Sequence, residues 1–172
     1  MKVSKKYLIW TIIICVLALA INVYIIMHSC LDAAKSTEAS NGVVQVSEEF
    51  VNTISPGTVT AENHNEFATL IRKVFGHFGL FMISGLLSSL AFYLCLNKCN
   101  WAKHYLVAII GLSFGLLMGI LTEVIQLNVP GRSGEFKDVL IDFSGYLLGA
   151  LIVALILFII IRKKLKKSQI EA

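Results

Sequence analysis

"TEVIQLNVPGRSGEFKDVLIDFSG", residues 122–145, joins two apolar runs and sets Glu123, Gln126, Arg132, Glu135, Asp138 and Asp142 at their ends. Its middle carries Pro130-Gly131 and Ser133-Gly134, so the chain turns sharply there. The flanks have helical rather than alternating apolar spacing. The stretch therefore reads as a helix end, a tight loop and a helix start, with charges gathered where hydrocarbon meets water.

The rest of the chain fixes the solvent. Of its 172 residues, 56% are hydrophobic and 15% charged, and mean hydropathy is +0.77. Soluble domains carry about 25% charged residues. Four apolar runs, at about 7–27, 74–96, 105–126 and 139–161, are long enough for a bilayer core, which takes roughly 20 helical residues. In lipid every backbone polar group must be satisfied within its own segment, so these runs predict helices. The expected fold is an all-α membrane protein, an antiparallel four-helix transmembrane bundle with both termini cytoplasmic. Orientation follows from the basic residues. With the N-terminus inside, Lys2, Lys5, Lys6, Lys98, Lys103, Arg162, Lys163, Lys164, Lys166 and Lys167 lie inside, and Lys35, Arg72, Lys73, Arg132 and Lys137 outside. The net charge of +4 then reflects topology and anionic lipid, not nucleic acid.

The expected organisation is an N-terminal transmembrane anchor at 1–27, an extracytoplasmic segment at 28–72, a three-helix transmembrane core at 73–161 and a basic cytoplasmic tail at 162–172. The first run is too long for a signal h-region, and no small-x-small cleavage site follows it. The polar segment opens with "DAAKSTEASNG", small residues expected to resist order. "VVQVSEEFVNTIS" follows, with apolar spacing suited to a membrane surface. Pro56-Gly57 marks a turn, and Asn63 or Asn65 is expected to cap a helix running unbroken into the second span. The first span shows no small-residue face and is expected at the periphery. Cys15, Cys30, Cys95 and Cys99 form no metal or disulfide framework and read as apolar fillers, with lipidation of Cys95 or Cys99 an alternative.

Helix periodicity places the charges. Residues four apart drift about 40° around a helix, and residues seven apart about 20°. Asp138, Asp142, Gly145 and Gly149 fall on one stripe of the fourth span. Gly111, Gly115, Gly119 and Glu123 line the third, and Lys73, His77, Ser84 and Ser88 share a face of the second. Small residues let helices approach closely in lipid. If these faces meet, His77, Glu123, Gln126, Asp138 and Asp142 converge at one depth. Ionisable groups within a span cost roughly 2.5–3.5 kcal/mol each, so such a cluster points to a site or to a polar lock between helices. His77, Glu123, Asp138 and Asp142 are the candidate acid/base residues. Lys73, Gln126 and Arg132, with Arg72, are candidates to hold an anionic ligand. A histidine with carboxylates also suits a divalent cation, although the spacing is no known metal signature. No Ser-His-Asp pattern and no Gly-rich phosphate loop is present.

"KVFGHFGLFMISGLL" and "EVIQLNVPGRSGEFKDVLIDFSGYLLG" resemble the VanZ-like family of small bacterial membrane proteins. The family pattern is a basic residue and histidine entering one span, then E-x-x-Q-x-x-x-P-x-R, then Asp, then Asn-x-x-G with a further Gly. Here it falls on Lys73 and His77, on Glu123, Gln126, Pro130 and Arg132, on Asp138, and on Asp142, Gly145 and Gly149. Asp142 stands where the family usually has Asn, which makes this site more acidic. The resemblance covers about residues 72–151 and implies a multi-pass protein of the bacterial cytoplasmic membrane, linked to teicoplanin resistance. Its implied partners are membrane lipids and an anionic envelope lipid or glycopeptide. Two functions compete. One is a binding protein for lipid head groups or glycopeptides. The other is an intramembrane enzyme acting on a lipid-linked envelope substrate through His and carboxylate acid–base chemistry. A transporter fits less well, because the inner halves of the spans hold no ionisable group except cysteine and tyrosine.

Overall fold

The computed structural model describes residues 4–96 and 102–170, and every regular element among them is helical. Lys2, Lys98 and Cys99 lie outside the described residues. The helices are α1 (Lys5–Ser29), α2 (Ala33–Ile54), α3 (His64–Ile71), α4 (Leu80–Leu96), α5 (Ala102–Gln126) and α6 (Phe136–Ile170). A π-helical segment, Arg72–Gly79, fuses α3 and α4 into one rod. Four helices are long and apolar enough to cross a membrane: Lys5–Ser29, His64–Leu96, Tyr105–Gln126 and Phe136–Lys167.

The tightest packing is α4 against α6, and glycine makes it possible. A Cβ on Gly145 would collide with the Phe78 carbonyl, and one on Gly149 with the backbone of Met82 and Leu86. One on Gly85 would strike the backbone of Tyr146. On α5, Gly115 makes room for the Tyr146 ring. Apolar burial adds little drive inside lipid, so close backbone packing and buried polar contacts carry association. Tyr146, Phe81, Ile25 and Met118 form the packed centre, while side chains such as Leu19, Ile109 and Leu155 point outward, as lipid-facing residues do.

Three expectations change. First, α1 is not peripheral. Ala18, Asn22, Ile25 and Ser29 form its buried stripe. Asn22 Nδ2 donates to Ser88 Oγ at 3.1 Å, and Ser84 Oγ donates to Asn22 Oδ1 at 2.9 Å. Tyr7 ties the other end of α1 to the Leu94 carbonyl at 2.6 Å. A polar side chain at a helix interface serves lipid-embedded packing as well as a glycine face does. Second, "DAAKSTEASNG" is ordered: Asp32 caps α2 by accepting from the Lys35 amide at 2.8 Å, and the helix runs to Ile54. Ser40 and Ser47 bond back to carbonyls one turn earlier, which removes their competition with the helix. Third, the helix of the fourth span continues through the basic tail to Ile170, since Lys and Arg are good helix formers.

The turns behave as read. Gly57 (φ +80°) and Gly131 (φ +73°) adopt the left-handed conformation that glycine tolerates. Asn63 precedes α3, but its side chain accepts from the Thr60 amide instead of capping the helix.

Candidate functional site

The polar cluster gathers where α1 ends, the π-helical segment begins, α5 ends and α6 starts. The π-helical turn is central. Its wider i→i+5 bonding is rare and often marks functional positions. Here it lines up Lys73 and His77 with Asp138 and Asp142, which are likewise four residues apart on α6. Lys73 Nζ donates to Asp138 Oδ1 at 2.6 Å and to Glu135 Oε2 at 3.3 Å. His77 Nδ1 and Asp142 Oδ1 share a hydrogen bond at 3.0 Å. Two rungs therefore lock the second span to the fourth.

Glu123 approaches from α5. Its Oε2 accepts from the Glu135 amide at 2.9 Å and its Oε1 from Gln126 Nε2 at 3.2 Å. Gly134 gives the loop room, since a Cβ there would strike the Glu123 carbonyl and the Leu127 side chain. Thr122 Oγ1 donates to the Gly119 carbonyl at 2.8 Å and sits 3.4 Å from Asp142 Oδ2. Asp142 is fully buried, and Glu123, Gln126 and Asp138 are each less than a tenth exposed.

A cleft of about 520 Å³ opens beside these groups. His77, Asp142, Thr122 and Gln126 line its polar floor, and Arg72 and Arg132 also face it. Helix α2 covers one side. Arg132 Nη1 donates to Ser36 Oγ at 3.3 Å and to the His28 carbonyl at 3.5 Å, and Arg72 Nε donates to Ser40 Oγ at 3.0 Å. Among the described residues, neither guanidinium has a carboxylate within ion-pair distance. Burial pulls the Arg132 guanidinium below its ordinary range, an effect that the more distant acids Glu123 and Asp138 oppose.

All eight residues expected from the sequence lie at this end of the bundle, with Arg72 on the cleft wall and the rest in two groups. Lys73 and Asp138 neutralise each other at the rim. His77, Gln126 and Asp142 lie on the buried floor, Arg132 also faces the cleft, and Glu123 is buried beside Gln126 and the Glu135 amide. Sequence reasoning missed Thr122, Ser36, Ser40 and His28. Ser36 and Ser40 sit four apart on a helix in a stretch whose small polar residues suggest disorder. Tyr146 was also missed. It is fully buried, and its hydroxyl lies near Ser88 and Ser89 without a well-formed hydrogen bond among the described residues.

No curated protein and no solved structure matches the chain. The sequence does match the protein family described as VanZ/LLP1, over residues 10–159. That span takes in most of α1, the two-rung lock, Glu123 and both arginines, so this multi-pass membrane chain belongs to the VanZ/LLP1 family.

Proposed function

We propose that the chain is a bacterial cell-envelope protein of the cytoplasmic membrane that binds anionic head groups, of envelope lipids or of glycopeptides, in the cleft. In this reading the four spans run antiparallel, both termini are cytoplasmic and the cleft opens at the outer leaflet. Occupying such ligands alters access of teicoplanin-type antibiotics to the envelope.

The observation that supports this most is the guanidinium pair. Arg72 and Arg132 face the cleft and, among the described residues, meet only neutral oxygens. Charge-assisted bonds are roughly twice as strong as neutral ones, so a phosphate outcompetes the Ser36 and Ser40 hydroxyls. Its arrival would loosen α2 from the cleft, which makes α2 a cover that the ligand itself opens. Lys73 contributes less, because Asp138 and Glu135 already engage it.

The test is saturable binding of a pyrophosphate-linked envelope lipid, and separately of teicoplanin, to chelator-treated protein in neutral-lipid nanodiscs. Arg132→Gln and Arg72→Gln should weaken binding at least tenfold, while Lys35→Gln should leave it unchanged. Absence of saturable binding to either ligand, or equal binding by the arginine variants, refutes the proposal.

The His77–Asp142 pair beside Glu123 favours one alternative, acid–base chemistry on a lipid-linked substrate. An expressed chain that changes the envelope lipid profile, with Glu123→Gln inactive, supports that reading. An unchanged effect with Glu123→Gln excludes Glu123 as the catalyst.

A further inference from the structure

Beneath the guanidinium pair, three metal-ligand side chains converge from three separate elements. One atom each from His77, Glu123 and Asp142 lies within 4.8 Å of the others. His77 Nδ1 and Asp142 Oδ1 are 3.0 Å apart. Neighbouring ligands on one tetrahedral ion, with bonds of about 2.1 Å, are separated by about 3.4 Å. The 3.0 Å His77–Asp142 pair is slightly tighter than this and the three ligand atoms lie within 4.8 Å of one another, so side-chain rotations bring them onto one ion.

Charge points the same way. Asp142 is fully buried and Glu123 is 5% exposed. Lys73 is engaged by Asp138 and Glu135, and Arg132 by neutral oxygens. Among the described residues, His77 is the only basic side chain within ion-pair distance of the Asp142 carboxylate, and none is within that distance of Glu123. Two buried carboxylates with one imidazole are short of positive charge, and buried charge is costly without a partner. A divalent ion with two carboxylates and a neutral imidazole sums to zero.

Independent of the cluster's shape, one oxygen lacks a full donor. Asp142 Oδ2 has only the Thr122 hydroxyl, at 3.4 Å. That hydroxyl has a single proton, already directed to the Gly119 carbonyl at 2.8 Å. A fully buried carboxylate oxygen whose one donor is long and shared is a place for a cation.

We infer that His77, Glu123 and Asp142 hold a divalent transition-metal ion of the zinc type at the floor of the cleft. The imidazole argues against magnesium and calcium, which favour all-oxygen sets. Gln126 Nε2 and the Glu135 amide fix the Glu123 carboxylate, as outer partners of metal ligands do. His77 and Asp142 line the cleft, so positions left open on the ion face it and can take a phosphate or water oxygen. The inference stands on these three side chains and not on the guanidinium pair.

The experiment uses full-length protein without a histidine tag, stripped with chelator and titrated with zinc by calorimetry. One equivalent should bind, at least tenfold more weakly in Asp142→Asn and in Glu123→Gln, and with unchanged affinity in Lys35→Gln, an exposed side chain outside the cluster. X-ray absorption at the zinc edge of the loaded wild type should show nitrogen and oxygen ligands at about 2.0–2.2 Å. That spectrum decides the matter even if a variant misfolds. No zinc uptake by wild type, equal affinity in the two carboxyl variants, or a sulfur-dominated spectrum overturns the inference.

Discussion

Replacing Gly145 with alanine tests the packing that builds the cleft. The new Cβ would lie 3.0 Å from the Phe78 carbonyl carbon and 3.1 Å from its Cα, and closer still to the carbonyl oxygen. These are backbone atoms, so no rotamer relieves the clash and the second and fourth spans must separate. Overpacking of this kind costs about 1–3 kcal/mol. Separation also stretches the 2.6 Å Lys73–Asp138 bond and the 3.0 Å His77–Asp142 bond, which sit on the same pair of helices. A hydrogen bond to a charged group contributes about 1.5–3 kcal/mol. The lower ends of the two ranges sum to about 2.5 kcal/mol. For a chain of this length that is a fall of about 5–10 °C in melting temperature. Gly42→Ala is the control: it lies on α2 with no atom within 4 Å of the added Cβ, and should be neutral or stabilising by about 1 kcal/mol. The assay is thermal unfolding in detergent. If Gly145→Ala melts with Gly42→Ala, the close approach of these two helices is wrong.

Three further outcomes follow from particular contacts. Tyr146→Phe should melt at the same temperature or slightly higher, because the lost hydroxyl is buried without a well-formed bond; a clear fall in the melting curve would mean the hydroxyl has a real partner. Mild oxidation should join Cys15 to Cys95, whose sulfurs are 3.6 Å apart, linking α1 to α4 within one chain; failure to cross-link, judged by non-reducing electrophoresis after cleavage between the spans, would contradict the placement of α1. The Lys35 amide and then its ammonium hold Asp32 below the ordinary aspartate range. The folded form is thus favoured by an ionised Asp32, an advantage present above the unfolded value and lost as pH falls through the folded one. Protection from hydrogen exchange in the first turn of α2, taken relative to the intrinsic rate at each pH, should therefore fall in acid, and Asp32→Asn should flatten that dependence.

The spans and the convergence of charge were legible because hydropathy and helical period report lipid and facing stripes directly. Gly145 and Gly149 predicted a close approach that the backbone contacts of α6 with the π-helical segment and α4 display. The place of α1 was not legible. Its inward stripe depends on a single asparagine whose partners, Ser84 and Ser88, are more than 60 residues away. Order in α2 was missed for a similar reason. Composition describes the segment's solubility, but Arg132 and Arg72 hold Ser36 and Ser40 from far along the chain. The π-helical turn has no sequence period of its own, so it was hidden inside a run that reads as ordinary helix.

The most direct test of the cleft as a functional site is the melting temperature of metal-free Asp142→Asn beside wild type. The amide oxygen can accept from His77. The amide nitrogen can donate to Thr122, whose own proton goes to Gly119. Asparagine thus satisfies every neighbour and removes a fully buried charge. If aspartate is kept for a ligand or an ion, the fold does not need the charge, and the variant melts at the same temperature or higher. A clear drop would show that the carboxylate is a structural lock and would contradict the functional reading of the floor.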